Sequence, residues 1–129
     1  MRAPKKIEPY YPDERELLRG NTPTMVLAVL RDGPLHGYAI AREVNRRTGD
    51  ALRFKQGTLY AVLHALERDE WIAGNWETGD GERPRKVYAM TEAGQAELAR
   101  RTVVWDRFAK AMARVIGDVT EEPNASQPA

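Results

Sequence analysis

The chain contains no cysteine. That excludes disulfides, thiolate metal ligands and cysteine nucleophiles, and it is compatible with a reducing compartment. Serine is almost absent too: the single one, Ser126, lies near the C-terminus. No serine therefore precedes a histidine-bearing loop in the manner of a hydrolase. His36 and His64 are the only histidines. They fall in separate segments with no matched acidic cluster, so metal-ligand spacing is missing. No glycine-rich phosphate cradle occurs, and the carboxylates are scattered rather than paired for acid–base work. Neither an enzyme nor a cofactor is expected. A dominant charge is lacking as well, with 20 basic against 19 acidic residues and a net charge of +1. A surface for nucleic acid must then come from local clustering of Lys and Arg. No apolar run approaches the ~20 residues of a membrane span. The opening MRAPKKIEPYYPDE has no apolar stretch behind its basic residues, unlike a signal peptide. The expectation is a cytoplasmic protein without membrane contact.

What is present suits one small globular domain: 129 residues, 42% hydrophobic and 30% charged. Residues 1–12, with three prolines, predict an extended arm. Residues 118–129 are polar and proline-containing and predict a disordered tail. Between them lie four helical patterns and one hairpin. The first helix is expected over Asp13–Leu30, with a fresh start at Thr22 and Pro23. Asp32, Gly33 and Pro34 stop it. The second spans about His36 to Thr48, with Tyr38, Ile40, Ala41 and Val44 inward and Arg42, Arg46 and Arg47 outward. Residues 51–54 form an extended link. The third spans about Gln56 to Glu70. Its Leu59, Val62, Leu63 and Leu66 make one apolar stripe, opposite Gly57, Tyr60, Ala61, His64 and Arg68. Trp71–Glu77 and Arg85–Met90 flank turn chemistry at 78–82 and predict a β-hairpin. The last helix starts at Thr91 and ends before Gly117. Leu98, Trp105, Phe108, Met112 and Val115 follow a rough 3–4 spacing, interrupted by Arg101, as in a helix seeking a partner.

Helix, helix, link, helix and hairpin, in that order, is the order of a winged helix-turn-helix. The fold class is thus mainly α with a small β-hairpin wing (α+β). The expected domains are an arm (1–12), a winged helix-turn-helix (13–90), a C-terminal dimerisation helix (91–117) and the tail (118–129). In such a fold the third helix enters the DNA major groove and the hairpin touches the neighbouring backbone. Arg46, Arg47, Arg53 and Lys55 cluster before that helix, and Arg83, Arg85 and Lys86 lie on the wing. Phosphate contacts are expected from Lys55, Tyr60, Arg83, Arg85 and Lys86. Gln56, Thr58 and His64 are placed to reach phosphates or base edges. A winged-helix module that binds protein instead of DNA is the competing reading. It would show an apolar third-helix face or an acidic wing tip, and Asp80 and Glu82 are acidic.

The segments GPLHGYAIAREV (33–44), QGTLYAVLHALERDEWI (56–72) and RPRKVYAMTEAGQAEL (83–98) resemble the PadR family of transcription regulators, over most of residues 15–116. The resemblance implies a homodimeric winged-helix repressor acting on operator duplex DNA, with Tyr38 at the start of the second helix contacting the DNA backbone. The short chain with a single C-terminal helix is similar to the smaller subfamily, which includes multidrug-sensing regulators. Some of those stack a flat aromatic ligand on a tryptophan of the dimerisation helix, and Trp105 falls at the matching place. Leu98, Trp105, Phe108, Met112 and Val115 would then form the dimer interface, with Trp105 facing a small aromatic effector. Two positions depart from the pattern. Lys55 stands where the family commonly has a capping Ser, and Ala61 where it often has Pro.

Overall fold

The computed structural model describes residues 14–79, 81 and 83–117, with side chains from residue 20 onward. The arm expected over 1–12, the tail expected over 118–129 and the acidic pair Asp80 and Glu82 lie outside the described residues. Helix α1 (Glu14–Leu30) runs unbroken through Pro23, so the fresh start expected at Thr22 does not occur. Proline forfeits one helical hydrogen bond and crowds the carbonyl four residues back. Thr22, Val26 and Leu27 are nonetheless at most 1% exposed. Burial of this face outweighs the local cost.

Two shorter helices pack on α1: α2 (Gly37–Arg47) and α3 (Gln56–Arg68). Ile40 and Val44 of α2 and Leu59, Leu63 and Leu66 of α3 meet Val26, Leu27, Val29 and Leu30 in one core. Each such aliphatic side chain contributes about 1.5–3 kcal/mol when fully buried. The α3 stripe read from the sequence is the buried face, with Val62 partly buried at its edge. Tyr38 is a correction. It was expected on the inward face of α2, but it is 54% exposed, with the Arg42 guanidinium over its ring at 5.4 Å. It sits in the first turn, where the helix has just left the sheet, and Ile40 fills the core below.

The hairpin strands are β2 (Ile72–Glu77) and β3 (Arg85–Met90), antiparallel from the pair Ile72 and Met90 to the pair Glu77 and Arg85. The periodicity did not reveal a third strand, β1 (Leu35–His36), which pairs antiparallel with β3. The sheet order is β1-β3-β2. Two residues are too few to carry an alternation signal. This strand roots the wing beside the start of α2.

Helix α4 (Glu92–Ile116) is capped by Thr91, whose Oγ1 accepts from the Gly94 N–H at 3.0 Å. Its first turns pack on α1 and β3. Leu98 is a second correction. It was read as part of an intersubunit seam, but it is 4% exposed and belongs to the chain's own core. The early turns of α4 close that core, so residue 98 is spent before the helix reaches open surface. Further along, Trp105, Phe108, Met112 and Val115 are exposed.

Candidate nucleic-acid interface

Because Leu59, Leu63 and Leu66 fix the rotation of α3, the opposite face points outward. Gln56, Gly57, Thr58, Tyr60, Ala61 and His64 are all exposed. They form a polar strip with small residues at 57 and 61, which lets a rigid partner approach the helix closely. Lys55, in the N-cap position, is extended and makes no side-chain cap hydrogen bond. The opening amides of α3 are thus not satisfied by the residue before them, and they suit an anion. Lys55 is itself exposed at this helix start.

The wing stands across from this strip. A cleft of about 420 Å³ lies between them, lined by His36, Gly37, Tyr38, Tyr60, His64, Trp76, Pro84, Arg85, Lys86 and Tyr88. Five residues singled out from the sequence, Tyr38, Tyr60, His64, Arg85 and Lys86, therefore converge on one concave surface. Tyr60 is held by packing. A Cβ at Gly37 would stand 3.2 Å from its ring and from its hydroxyl, so a side chain at 37 would press the ring outward by a few tenths of an ångström. Gln56, Thr58 and Lys55 extend the surface along α3, and Arg83 extends it along the wing.

Not every basic residue near the strip is available for an outside partner. Arg46 and Arg47 both bond Glu43, at 2.6 and 2.9 Å, and Arg47 also pairs with Asp32. These guanidiniums hold the Glu43 carboxyl at about 2, well below its ordinary value, chiefly through the hydrogen bond from Arg46. The basic cluster read before α3 thus reduces to Arg53 and Lys55, both exposed. Lys86 is engaged too, 2.9 Å from Glu67 of α3. Trp76 went unassigned in the sequence. It is 69% exposed on the wing and lines the cleft. Its placement on the face of β2 shared with Ile72 and Gly74 was the one available signal.

A second concavity involves none of these residues. A groove of about 700 Å³ runs between α1 and α4, with Thr24, Val104, Trp105, Phe108, Met112 and Ile116 in its lining. Trp105 and Phe108 are 51% and 59% exposed, so this apolar face is not covered by the described residues. Among the described residues, no cluster of His, Asp or Glu could hold a metal ion. No described helix is long and apolar enough to cross a membrane.

The sequence model of the transcriptional regulator PadR-like family matches residues 26–100. A transcriptional regulator of Mycobacterium tuberculosis is 36% identical over 84 residues, which is 65% of this chain and 75% of that protein. The solved structure of a PadR family transcriptional regulator from Eggerthella lenta superposes with a TM-score of 0.72 at 27% identity, over 82% of this chain and 90% of that one. Bacillus subtilis PadR in complex with operator DNA superposes with a TM-score of 0.58, over 84% of this chain and 52% of that one. At 19% identity, that likeness is one of fold.

Proposed function

The chain belongs to the PadR-like family of transcriptional regulators, and from that premise we propose that it is a homodimeric repressor that binds a specific operator in duplex DNA. The observation that carries this reading is the cleft in which the polar face of α3 and the basic wing confront each other. In the proposed complex α3 lies in the major groove. Gln56, Thr58 and His64 address base edges or phosphates. Lys55, Tyr60, Arg83 and Arg85 address phosphates, and Tyr38 lies against the backbone beside them. A near-neutral chain gains affinity from these few cations without the non-specific binding of a polybasic one.

The proposed dimer joins two copies through Trp105, Phe108, Met112 and Val115 of α4. That arrangement covers the apolar groove and sets the spacing of two reading helices. A small planar aromatic effector would lodge against Trp105 in the same groove and relieve repression. The proposed domain division follows the same logic: 13–90 reads DNA and 91–117 pairs the subunits.

A mobility-shift titration against the DNA upstream of the chain's own coding region tests the reading. The expected result is a shift that weakens steeply with salt and is not matched by random duplex of equal length. Equal affinity for random duplex, or no shift at low ionic strength, would remove the proposal. Tryptophan fluorescence of the wild type and of Trp105→Phe, titrated with a planar aromatic cation, tests the effector. Quenching confined to the wild type is expected.

A further inference from the structure

Arg85 and Lys86 are neighbours on β3, yet their side chains go separate ways. Arg85 is exposed, whereas Lys86 is partly buried and turns toward α3. Its Nζ lies 2.9 Å from Oε1 of Glu67, on the last turn of α3. It also sits 5.4 Å from the centre of the Tyr88 ring. The same Glu67 carboxylate lies against Gly74 of β2. One acidic group of the reading helix thus bonds one strand of the wing and rests on the other. Gly74 makes room for this. A Cβ there would stand 2.3 Å from Cε of Lys86 and 3.0 Å from Oε2 of Glu67. The lysine stem passes over a position that only glycine leaves open. This one hydrogen bond, donated by Lys86, holds the Glu67 carboxyl below its ordinary range and the Lys86 ammonium above its own.

The location of the pair matters mechanically. The base of the hairpin is held by buried Ile72 and by β1, which pairs with Val87 and Tyr88. Trp76, Glu77 and Arg85 lie beyond that support, in the register Trp76 to Lys86 and Glu77 to Arg85. Strand residues advance ~3.3 Å each, so a small tilt at the base displaces the outer wing by a distance comparable to a hydrogen bond. A two-stranded ribbon has little stiffness of its own.

We propose that Glu67 and Lys86 are positioning residues that set the inclination of the wing against the reading helix, and that Lys86 does not contact phosphate. This rests on the reading above, in which α3 and the wing together grip duplex DNA. It separates Lys86 from Arg85, which the sequence places in the same role.

The sign of one substitution discriminates. Glu67→Gln removes a negative charge near the DNA and releases an ammonium. If Lys86 were a phosphate contact held in check, the variant would bind DNA more tightly, with a salt slope steeper by about one unit. As a strut, the variant binds roughly three- to tenfold more weakly, because glutamine keeps an accepting oxygen for Lys86 and forfeits only the charge assistance. Lys86→Glu weakens binding at least as much. The exchange Glu67→Lys with Lys86→Glu restores the pair and returns affinity to within about twofold of wild type, the tolerance expected of coupled neighbours. Hydroxyl-radical footprints supply a readout that general loosening would not reproduce. In Glu67→Gln, protection beneath the wing fades while protection beneath α3 persists, and thermal melting confirms that the variants are folded. Tighter or unchanged binding by Glu67→Gln, an exchange variant that stays weak, or uniform loss of the footprint overturns the strut alone. A wild type that shifts no duplex overturns the functional reading, and the strut's role with it.

Discussion

Tyr60 illustrates how little of a binding surface depends on the residue that makes the contact. Its ring rests on the backbone at Gly37, and its hydroxyl reaches the cleft because nothing larger occupies position 37. Tyr60→Phe is expected to weaken operator binding by about 0.5–1.5 kcal/mol, the net value of one hydrogen bond, with an unchanged melting midpoint. Gly37→Ala should move affinity in the same direction by pushing the ring outward. A titration in which both variants match the wild type would remove Tyr60 from the interface. Arg85 should act through charge. Arg85→Ala is expected to weaken binding to specific and random duplex alike and to flatten the salt slope by roughly one unit. Affinities measured across a salt series decide this, and an unaltered slope would exclude a phosphate contact. Trp76 had no part in the sequence-based site, because a single aromatic on a predicted strand reads equally well as packing. Its exposure became meaningful only when the fold set it in the cleft with Tyr60 and His64.

At the scale of elements, the end of α3 is locked to the start of α4. Glu70 takes a positive φ of 62° after the end of α3, and Trp71 bonds back to Leu66. Thr91 then clasps this turn. Its Oγ1 donates to the Glu70 carbonyl at 2.7 Å, and its N–H donates to the Trp71 carbonyl at 3.1 Å. A Cβ at Gly94 would lie 2.0 Å from the Trp71 carbonyl oxygen, a backbone atom that cannot step aside. Thr91→Ala should cost about 1 kcal/mol as a lost cap. Gly94→Ala should cost about 1–3 kcal/mol as overpacking. Denaturant unfolding measures both, and a smaller loss for Gly94→Ala than for Thr91→Ala would contradict the geometry. One turn on, Arg100 and Arg101 bond Glu97 at 2.8 and 2.6 Å. They bring its carboxyl down to about 2, with the Arg100 hydrogen bond the largest cause. A depressed carboxylate stabilises the fold fully above its unfolded value, near 4.5. That contribution fades as pH falls from there toward 2. The melting temperature of the wild type should therefore drop more than that of Glu97→Gln between pH 5 and pH 3, by circular dichroism at constant ionic strength, and parallel curves would refute it.

For the whole molecule the open question is assembly. Trp105, Phe108, Met112 and Val115 lie exposed along the outer part of α4, beside an apolar groove. A single small core leaves such a face uncovered, and a second copy is the proposed cover. The double substitution Trp105→Asp with Phe108→Asp should sediment as a folded monomer and lose operator affinity by more than tenfold, since one subunit grips only half the site. A persistent dimer would refute this assignment of the interface. Leu98 belongs to a different class, because charge there should unfold the protomer instead of separating subunits. The near-zero net charge fits the same picture, because Arg46, Arg47, Lys86, Arg100 and Arg101 all pair with carboxylates of the chain.

Periodicity and turn chemistry alone determined four helices and a hairpin, the buried stripe of α3 and, by subtraction, its polar face. These depend on neighbours in the chain, which a sequence states directly. Tertiary structure alone decided that α1 passes through Pro23, that residues 35 and 36 add a strand, that Leu98 closes the core, and that Lys86 turns inward to Glu67. Each of these outcomes depends on energy gained from residues distant in sequence. Burial can repay a proline, and a carboxylate from another element can claim a lysine. Local pattern carries no record of such partners.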